Sequence, residues 1–223
     1  MTGKLVVPKI DLRNVYRYLG YRDGKGPAPR ILSLIMDYVK HVNKFVDRSY
    51  SYVVKEIEKV EGPLVVIEGG IAFESKVVAS LLERCSKVGL FVVTIGGRLE
   101  DIARRLADEG LVLHAHILDA IGSDAVEQCA DFVQQLIGDK ATEQGLLISR
   151  RFSPGYCDWD IGQQRAFFHA MTGKACGVRL TEGGLMVPQK SISGIIGIGD
   201  SPCDIKHYNP CLTCNKLDCR GRR

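Results

Sequence analysis

A repeating passage from apolar run to amphipathic stretch, with glycine at the joints, constrains this chain most. Leu64-Val65-Val66-Ile67 is a short apolar run that closes on Gly69-Gly70, and residues 74–88 then read as an amphipathic helix. A second apolar run, 90–95, ends in Gly96-Gly97. The pattern goes on to predict a charged helix over 99–109, a strand over 111–118 and a helix beginning near Ser123. Three strand-to-helix passages in succession imply helices layered on a sheet, in an α/β or α+β arrangement. Beyond Gly145 the character changes. Residues 146–149, 177–181, 185–187 and 192–198 are short strands punctuated by Gly and Pro, the pattern of an antiparallel meander, with one more helix over 163–171.

Upstream, residues 10–20 read as a short helix entered through Asp11, whose carboxylate accepts the unpaired amide protons of a first turn. Residues 30–60 contain neither Gly nor Pro, and Leu32, Ile35, Met36, Val39, Val42, Val53, Ile57 and Val60 recur at helical spacing. This predicts one long helix or two abutting ones. With 223 residues the chain makes one or two domains, and 45% hydrophobic with 25% charged residues excludes disorder, collagen and coiled coil. The 30 Lys+Arg against 26 Asp+Glu leave +4, too mild for a whole-domain nucleic-acid footprint. No apolar run approaches the ~18 residues of a membrane span and the start lacks a secretory pattern, so a cytoplasmic location is expected.

The two Gly-Gly pairs sit where phosphate loops occur, but neither extends to a nucleotide-binding motif, and turn chemistry is the better reading. His114 and His116 alternate with apolar residues on the expected strand; without a third ligand they read as structural rather than metal-binding. Arg151-Phe152-Ser153-Pro154-Gly155-Tyr156 joins a guanidinium, a forced turn and an aromatic ring. It suits a carboxylate clamp, since Arg grips a planar carboxylate through two parallel hydrogen bonds, and it equally suits a plain strand end with a Pro-Gly turn. Trp159, the sole tryptophan, reads as a core anchor.

The stretch from Arg151 to Asp160, followed by Gly177-Val178-Arg179-Leu180-Thr181-Glu182, Leu185-Met186-Val187-Pro188 and Lys190-Ser191-Ile192-Ser193-Gly194, resembles the reactivation domain of cobalamin-dependent methionine synthase. The resemblance implies a C-shaped α+β fold on a twisted antiparallel sheet flanked by helices, and S-adenosylmethionine (AdoMet) as ligand. It implies methyl delivery to a cobalamin whose cobalt has been oxidised and re-reduced. Within the family's Arg-x-x-x-Gly-Tyr motif, Arg151 would hold the ligand's carboxylate, with Gly155 and Tyr156 completing the turn. Ile10-Asp11 is similar to the pair whose acid meets the ligand's ammonium, and Tyr208, in Asp204-Ile205-Lys206-His207-Tyr208, is similar to a ligand-packing tyrosine. Glu182 would lie near the cation or simply at the surface. Many relatives carry Pro after the tyrosine, where this chain has Cys157, which leaves the shape of the loop open.

Two departures from the long synthases follow. The chain has no room for cobalamin and substrate modules, so the resemblance implies a separate cobalamin-binding methyltransferase as partner. Four of the eight cysteines, Cys203, Cys211, Cys214 and Cys219, fall in a C-x7-C-x2-C-x4-C pattern near the end. Such a set holds a [4Fe-4S] cluster or zinc, the cluster supplying a low-potential electron and an electron donor being the corresponding partner. The expected organisation is an AdoMet-binding domain over 1–200 and a cysteine-rich metal-binding tail over 201–223. The alternatives are an iron-sulfur electron-transfer module that reduces a corrinoid protein, and an interaction protein with a zinc-pinned tail.

Overall fold

The computed structural model describes residues 1–4, 9–21, 26–173, 175–200 and 212. Among them a seven-stranded sheet runs in the order β4-β3-β2-β5-β9-β6, with β1 added on β2. The strands are β1 (Thr2–Lys4), β2 (Ser49–Glu61), β3 (Leu64–Ile67), β4 (Ile71–Glu74), β5 (Lys87–Thr94), β6 (Leu147–Ile148) and β9 (Ser191–Gly199). Every strand pairing among the described residues is antiparallel, and β7 (Arg179–Leu180) with β8 (Met186–Val187) makes a separate hairpin. β5 is the spine: Leu90 lies opposite Val53 on one side and Ile195 on the other. This is the expected α+β class.

Because successive strand residues face opposite ways, β5 feeds two cores. Phe91, Val93 and Ile95 enter the first with α1 (Leu12–Tyr18), α2 (Pro29–His41) and α5 (Val112–Thr142). Val88, Leu90 and Val92 enter the second with α3 (Lys76–Leu82), α6 (Gln164–Ala170) and Trp159. Each fully buried Val, Leu or Ile stabilises by about 1.5–3 kcal/mol, so both faces are held mainly by this burial. α4 (Arg98–Asp108) lies along α5.

Three helix and strand expectations are corrected. Residues 30–60 are not all helix: α2 stops at His41, a 3-10 turn spans Val42–Lys44, and β2 takes Ser49–Glu61. The spacing of Val53, Ile57 and Val60 satisfies a helix, but Tyr50, Tyr52, Val53 and Val54 are residues that pack well on a pleated surface, and β5 offers them a partner over eight register positions. Residues 111–118 are not a strand but the start of the 31-residue α5. Buried Ile117, Ile121, Ala125, Cys129, Val133 and Ile137 follow a helical stripe that the local alternation of His114 and His116 conceals. Two residues apart on a helix point roughly 200° from each other, so these histidines share no face; His114 Nδ1 instead bonds Tyr38 Oη at 2.9 Å. Finally, residues 74–88 divide among the end of β4, α3 and the start of β5.

Among the described residues no helix is long and apolar enough to cross a membrane.

Candidate functional site

Asp11 caps α1 as expected, its Oδ1 accepting from Arg13 N at 2.9 Å. The same carboxylate pairs with the Arg13 guanidinium at 2.9 Å, which holds its pKa below the ordinary value. The Asp11 backbone N–H donates to Asp124 Oδ2 at 2.8 Å, and Asn14 Nδ2 donates to Asp124 Oδ1 at 2.9 Å. Asp124 is fully buried on α5, and burial raises its pKa against the pull of those hydrogen bonds. One carboxylate therefore fastens the start of α1 to the middle of α5.

Beyond that joint the two helices and the chain after β6 border a polar, half-open cavity of about 300 Å³, lined by Asn14, Arg17, Tyr18, Glu127, Asp131 and Arg151. Its volume is at the low end for small-molecule sites. Asn14, Arg17 and Tyr18 are three and four residues apart, one face of α1; Glu127 and Asp131 are four apart, one face of α5. Arg151 closes the third side. Its Nη1 donates to Asp131 Oδ1 at 2.5 Å and Gln134 Oε1 at 3.1 Å, and its Nη2 to Glu127 Oε2 at 2.7 Å. Burial works against the charged guanidinium, but Asp131 and Glu127 outweigh it and its pKa lies above the ordinary value. Burial likewise raises Tyr18, with the Glu127 charge adding to it. The cavity thus presents two guanidiniums and two carboxylates in one concavity, and Arg151 enters it already engaged by acids.

The other motif residues lie on the opposite face of the sheet. Phe152 bridges to Ile195 of β9, and strand alternation sends its ring into the second core while Arg151 goes to α5. Gly155 N donates to the Trp159 carbonyl at 2.7 Å and Trp159 N to the Tyr156 carbonyl at 3.0 Å, closing a tight turn. Gly155 has φ +90°, and a Cβ there would also meet Ile161 Cδ1 at 3.2 Å, so both backbone and space call for glycine. Tyr156 is about half exposed, its ring centroid 6.4 Å from that of Phe152. Ile161 links this turn to the tip of the β7–β8 hairpin, since its carbonyl lies 3.8 Å from the Cβ position of Gly184. Glu182, on that tip, is exposed and its main-chain carbonyl accepts from Arg165 Nη2.

Cys157 has φ +51°, a left-handed conformation closed to proline, whose ring fixes φ near −65°. Trp159 behaves as the expected anchor, 1% exposed, stacked on Phe152 at 6.0 Å and edge-on to Phe73 at 5.4 Å.

The structure thus brings Arg151 to α1 but leaves the Asp11 carboxylate outside the cavity lining, and gathers Gly155, Tyr156 and Glu182 on the second face. Tyr208, Cys203, Cys211, Cys214 and Cys219 lie outside the described residues, as does the tail 201–223 apart from Leu212. Among the described residues no group of three or more His, Cys, Asp or Glu is arranged to hold a metal. Sequence reading missed Asn14, Arg17, Tyr18, Glu127 and Asp131. The i,i+4 spacing of Glu127 and Asp131 was the available signal, once a helix is recognised there.

An antiparallel sheet with a long helix on one face and short helices on the other defines the class: the fold of a methionine synthase reactivation domain. The crystal structure of the MetH reactivation domain bound to AdoHcy matches with a TM-score of 0.61 at 15% sequence identity, over 88% of this chain and 78% of that one. The family model for the activation domain of vitamin B12-dependent methionine synthase matches residues 76–202, and the chain belongs to that family. No curated protein matches the sequence.

Proposed function

We propose that this chain binds AdoMet and serves, in the cytoplasm, as a stand-alone reactivation protein for a cobalamin protein carried on a separate polypeptide. The observation that carries the reading is the α1–α5 cavity, which contains the motif arginine and both signs of charge. AdoMet presents a carboxylate, an ammonium and a sulfonium cation. A zwitterionic amino-acid end can enter an Arg–acid cluster by exchange of partners: Arg151 passes to the ligand carboxylate while Glu127 or Asp131 takes the ammonium. With Glu127 taking the ammonium, the Asp131 carboxylate that Arg151 releases is 59% exposed and stays solvated, so the exchange strands no buried charge. Arg17 and Tyr18 then border the ligand from α1. The family resemblance assigns the rest of the ligand to Tyr208, the Tyr156 turn and the Glu182 tip, the last two reached past the β6 edge of the sheet; Glu127 or Asp131 takes the ammonium role that the resemblance implies for Asp11, whose carboxylate pairs with Arg13 outside the cavity lining.

In the reaction the sulfonium S–CH3 bond breaks, the methyl group passes to low-valent cobalt on the partner, and neutral AdoHcy remains. Cobalamin, when presented by the partner, supplies the nucleophile. This chain's residues need only place the methyl donor and exclude water, with no general acid or base. Titration of AdoMet and AdoHcy by calorimetry is the test. Binding by the wild type, with a loss of at least tenfold (about 1.4 kcal/mol) in Arg151→Ala, is expected; absence of heat in the wild type overturns the reading. Methylation of a cobalamin partner, followed by its visible absorption, tests the second half.

The cysteine tail is proposed to hold a [4Fe-4S] cluster that passes the reducing electron, on the strength of its C-x7-C-x2-C-x4-C spacing. Anaerobic purification with metal analysis separates iron and sulfide from zinc, and zinc would favour the pinned-tail interaction protein.

A further inference from the structure

Asp158 lies two residues beyond the exposed Tyr156, yet its carboxylate is committed to residues 81 to 83 positions earlier in sequence. Oδ1 accepts from Ser75 Oγ at 2.6 Å and Val77 N at 3.3 Å, and Oδ2 accepts from Lys76 N at 2.7 Å. These are the cap and the first two residues of α3, which otherwise has only the Ser75 side chain, bonded to Val78 N at 3.0 Å, to satisfy its opening amides. Partial burial acts against the charge, but the hydrogen bonds from Ser75, Lys76 and Val77 prevail and lower the pKa.

Trp159, the next residue, is clamped between Phe73 and Phe152, and its carbonyl receives the Gly155 N–H. Asp158 on α3 thereby fixes the peptide that closes the turn bearing Gly155 and Tyr156. A second tether is separate from it: Gln163 Nε2 donates to the Glu74 carbonyl at 2.7 Å and Gln163 Oε1 accepts from Glu74 N at 2.8 Å. The turn is held at both ends to one β4–α3 junction, and only the Asp158 end adjoins Tyr156. Pro154 fixes the entry to the turn, Cys157 follows Tyr156 in a left-handed conformation, and at the exit the Asp158 carboxylate ties the turn to α3.

We infer that Asp158 is a positioning residue for the ligand-facing turn: by capping α3 it holds Gly155 and Tyr156 in the geometry that receives the ligand, without touching the ligand itself. The inference rests on the reading that the 151–156 segment binds AdoMet, and its test keeps the two apart. Full-length wild type, Asp158→Asn and Ser75→Ala are compared in AdoHcy titrations, in thermal melts and in the emission of Trp159, the sole tryptophan. Asp158→Asn is expected to remain folded, because the Gln163 tether and both cores persist, to bind AdoHcy about tenfold more weakly, and to show red-shifted emission as the indole's end of the turn loosens. Ser75→Ala, which removes one of the three donors, should move the same way by less. Wild-type affinity in Asp158→Asn, or a lowered melting temperature with affinity and emission unchanged, overturns the inference and leaves Asp158 an ordinary helix cap. If the wild type itself fails to bind, the ligand reading falls, and the emission of ligand-free Asp158→Asn still decides: a red shift supports the turn restraint and an unshifted spectrum refutes it.

Discussion

The two faces of the sheet are each tied together by an aspartate that accepts hydrogen bonds from the start of a distant helix, and the two are shifted in opposite directions. On the α5 face Asp124 is fully buried, receives the Asp11 amide and the side chains of Asn14 and Gln128, and is raised by burial. On the α3 face Asp158 is mostly open to water, receives three donors at the mouth of a helix, and is lowered. The contrast shows what decides each pKa: where solvent is excluded, desolvation beats a few neutral hydrogen bonds, and where solvent remains, those bonds prevail. It also divides the labour. The α5 face is built on one 31-residue helix whose charges line a cavity; the α3 face is a set of short pieces held by caps and one aromatic stack.

The largest test of this contrast is Trp159→Ala. The indole is the joint of the short-piece face, with Phe73 and Phe152 against it, and its buried Nε1 has no hydrogen-bond partner among the described residues. The substitution creates a cavity and should cost about 3–5 kcal/mol in chemical denaturation. If the long-helix face folds on its own strength, the helical signal will survive denaturant better than near-ultraviolet signals from the second core; coincident loss of both would make the two faces one cooperative unit.

Next in size is Asp124→Ala, which leaves the Asp11 amide and the Asn14 side chain without their buried acceptor. A loss of about 1–3 kcal/mol is expected, with AdoHcy affinity falling as the α1 wall loosens. Full affinity would show that α1 is placed by its apolar contacts alone.

The pH dependence sharpens the same comparison. A carboxylate raised in the native state binds protons there more readily than when unfolded, so Asp124 withdraws stability as pH climbs from the ordinary value of 3.8 through its raised one. Asp158, lowered in the native state, contributes stability that is complete above 3.8 and is lost as pH falls through the lower native value. In denaturation curves from about pH 2 to 7, Asp158→Asn should therefore show a shallower decline below 3.8, while Asp124→Asn should be relatively more stable above 3.8, as pH rises through the raised native value. Parallel profiles in the two variants would remove the distinction drawn here.

Much of this arrangement was legible beforehand, and the remainder was not, for a physical reason. Asp11 announced the start of α1 because a cap is a local interaction, and residues 64–67 and 192–198 announced strands because their apolar runs are bounded by glycine. Arg151 stood out through its motif. The cavity did not, because its other charges are on helices whose mutual approach depends on tertiary packing: Glu127 and Asp131 precede Arg151 by 24 and 20 positions, inside a helix whose first turn imitates a strand. β2 was misread because one spacing served two periods, and only its pairing with β5 decides between them. The cap between Asp158 and Ser75 is likewise invisible in sequence, where neither residue lies near the other.

The smallest expected effect is Cys157→Gly. A non-glycine residue held at φ +51° stores about 1 kcal/mol of local strain. Glycine relieves it, but the freer unfolded chain gives back about 0.5–1 kcal/mol. The net gain is thus at most about 0.5 kcal/mol, or about 1–2 °C in melting temperature for a chain of this length. Cys157→Ala keeps the strain and should show no gain. The value of so small a change is that it adds backbone freedom beside Tyr156 while leaving the Asp158 cap intact. AdoHcy affinity equal to wild type in Cys157→Gly, together with weakened binding in Asp158→Asn, would locate the turn's rigidity in the carboxylate on α3. Weakened binding in Cys157→Gly would move it to the left-handed residue itself.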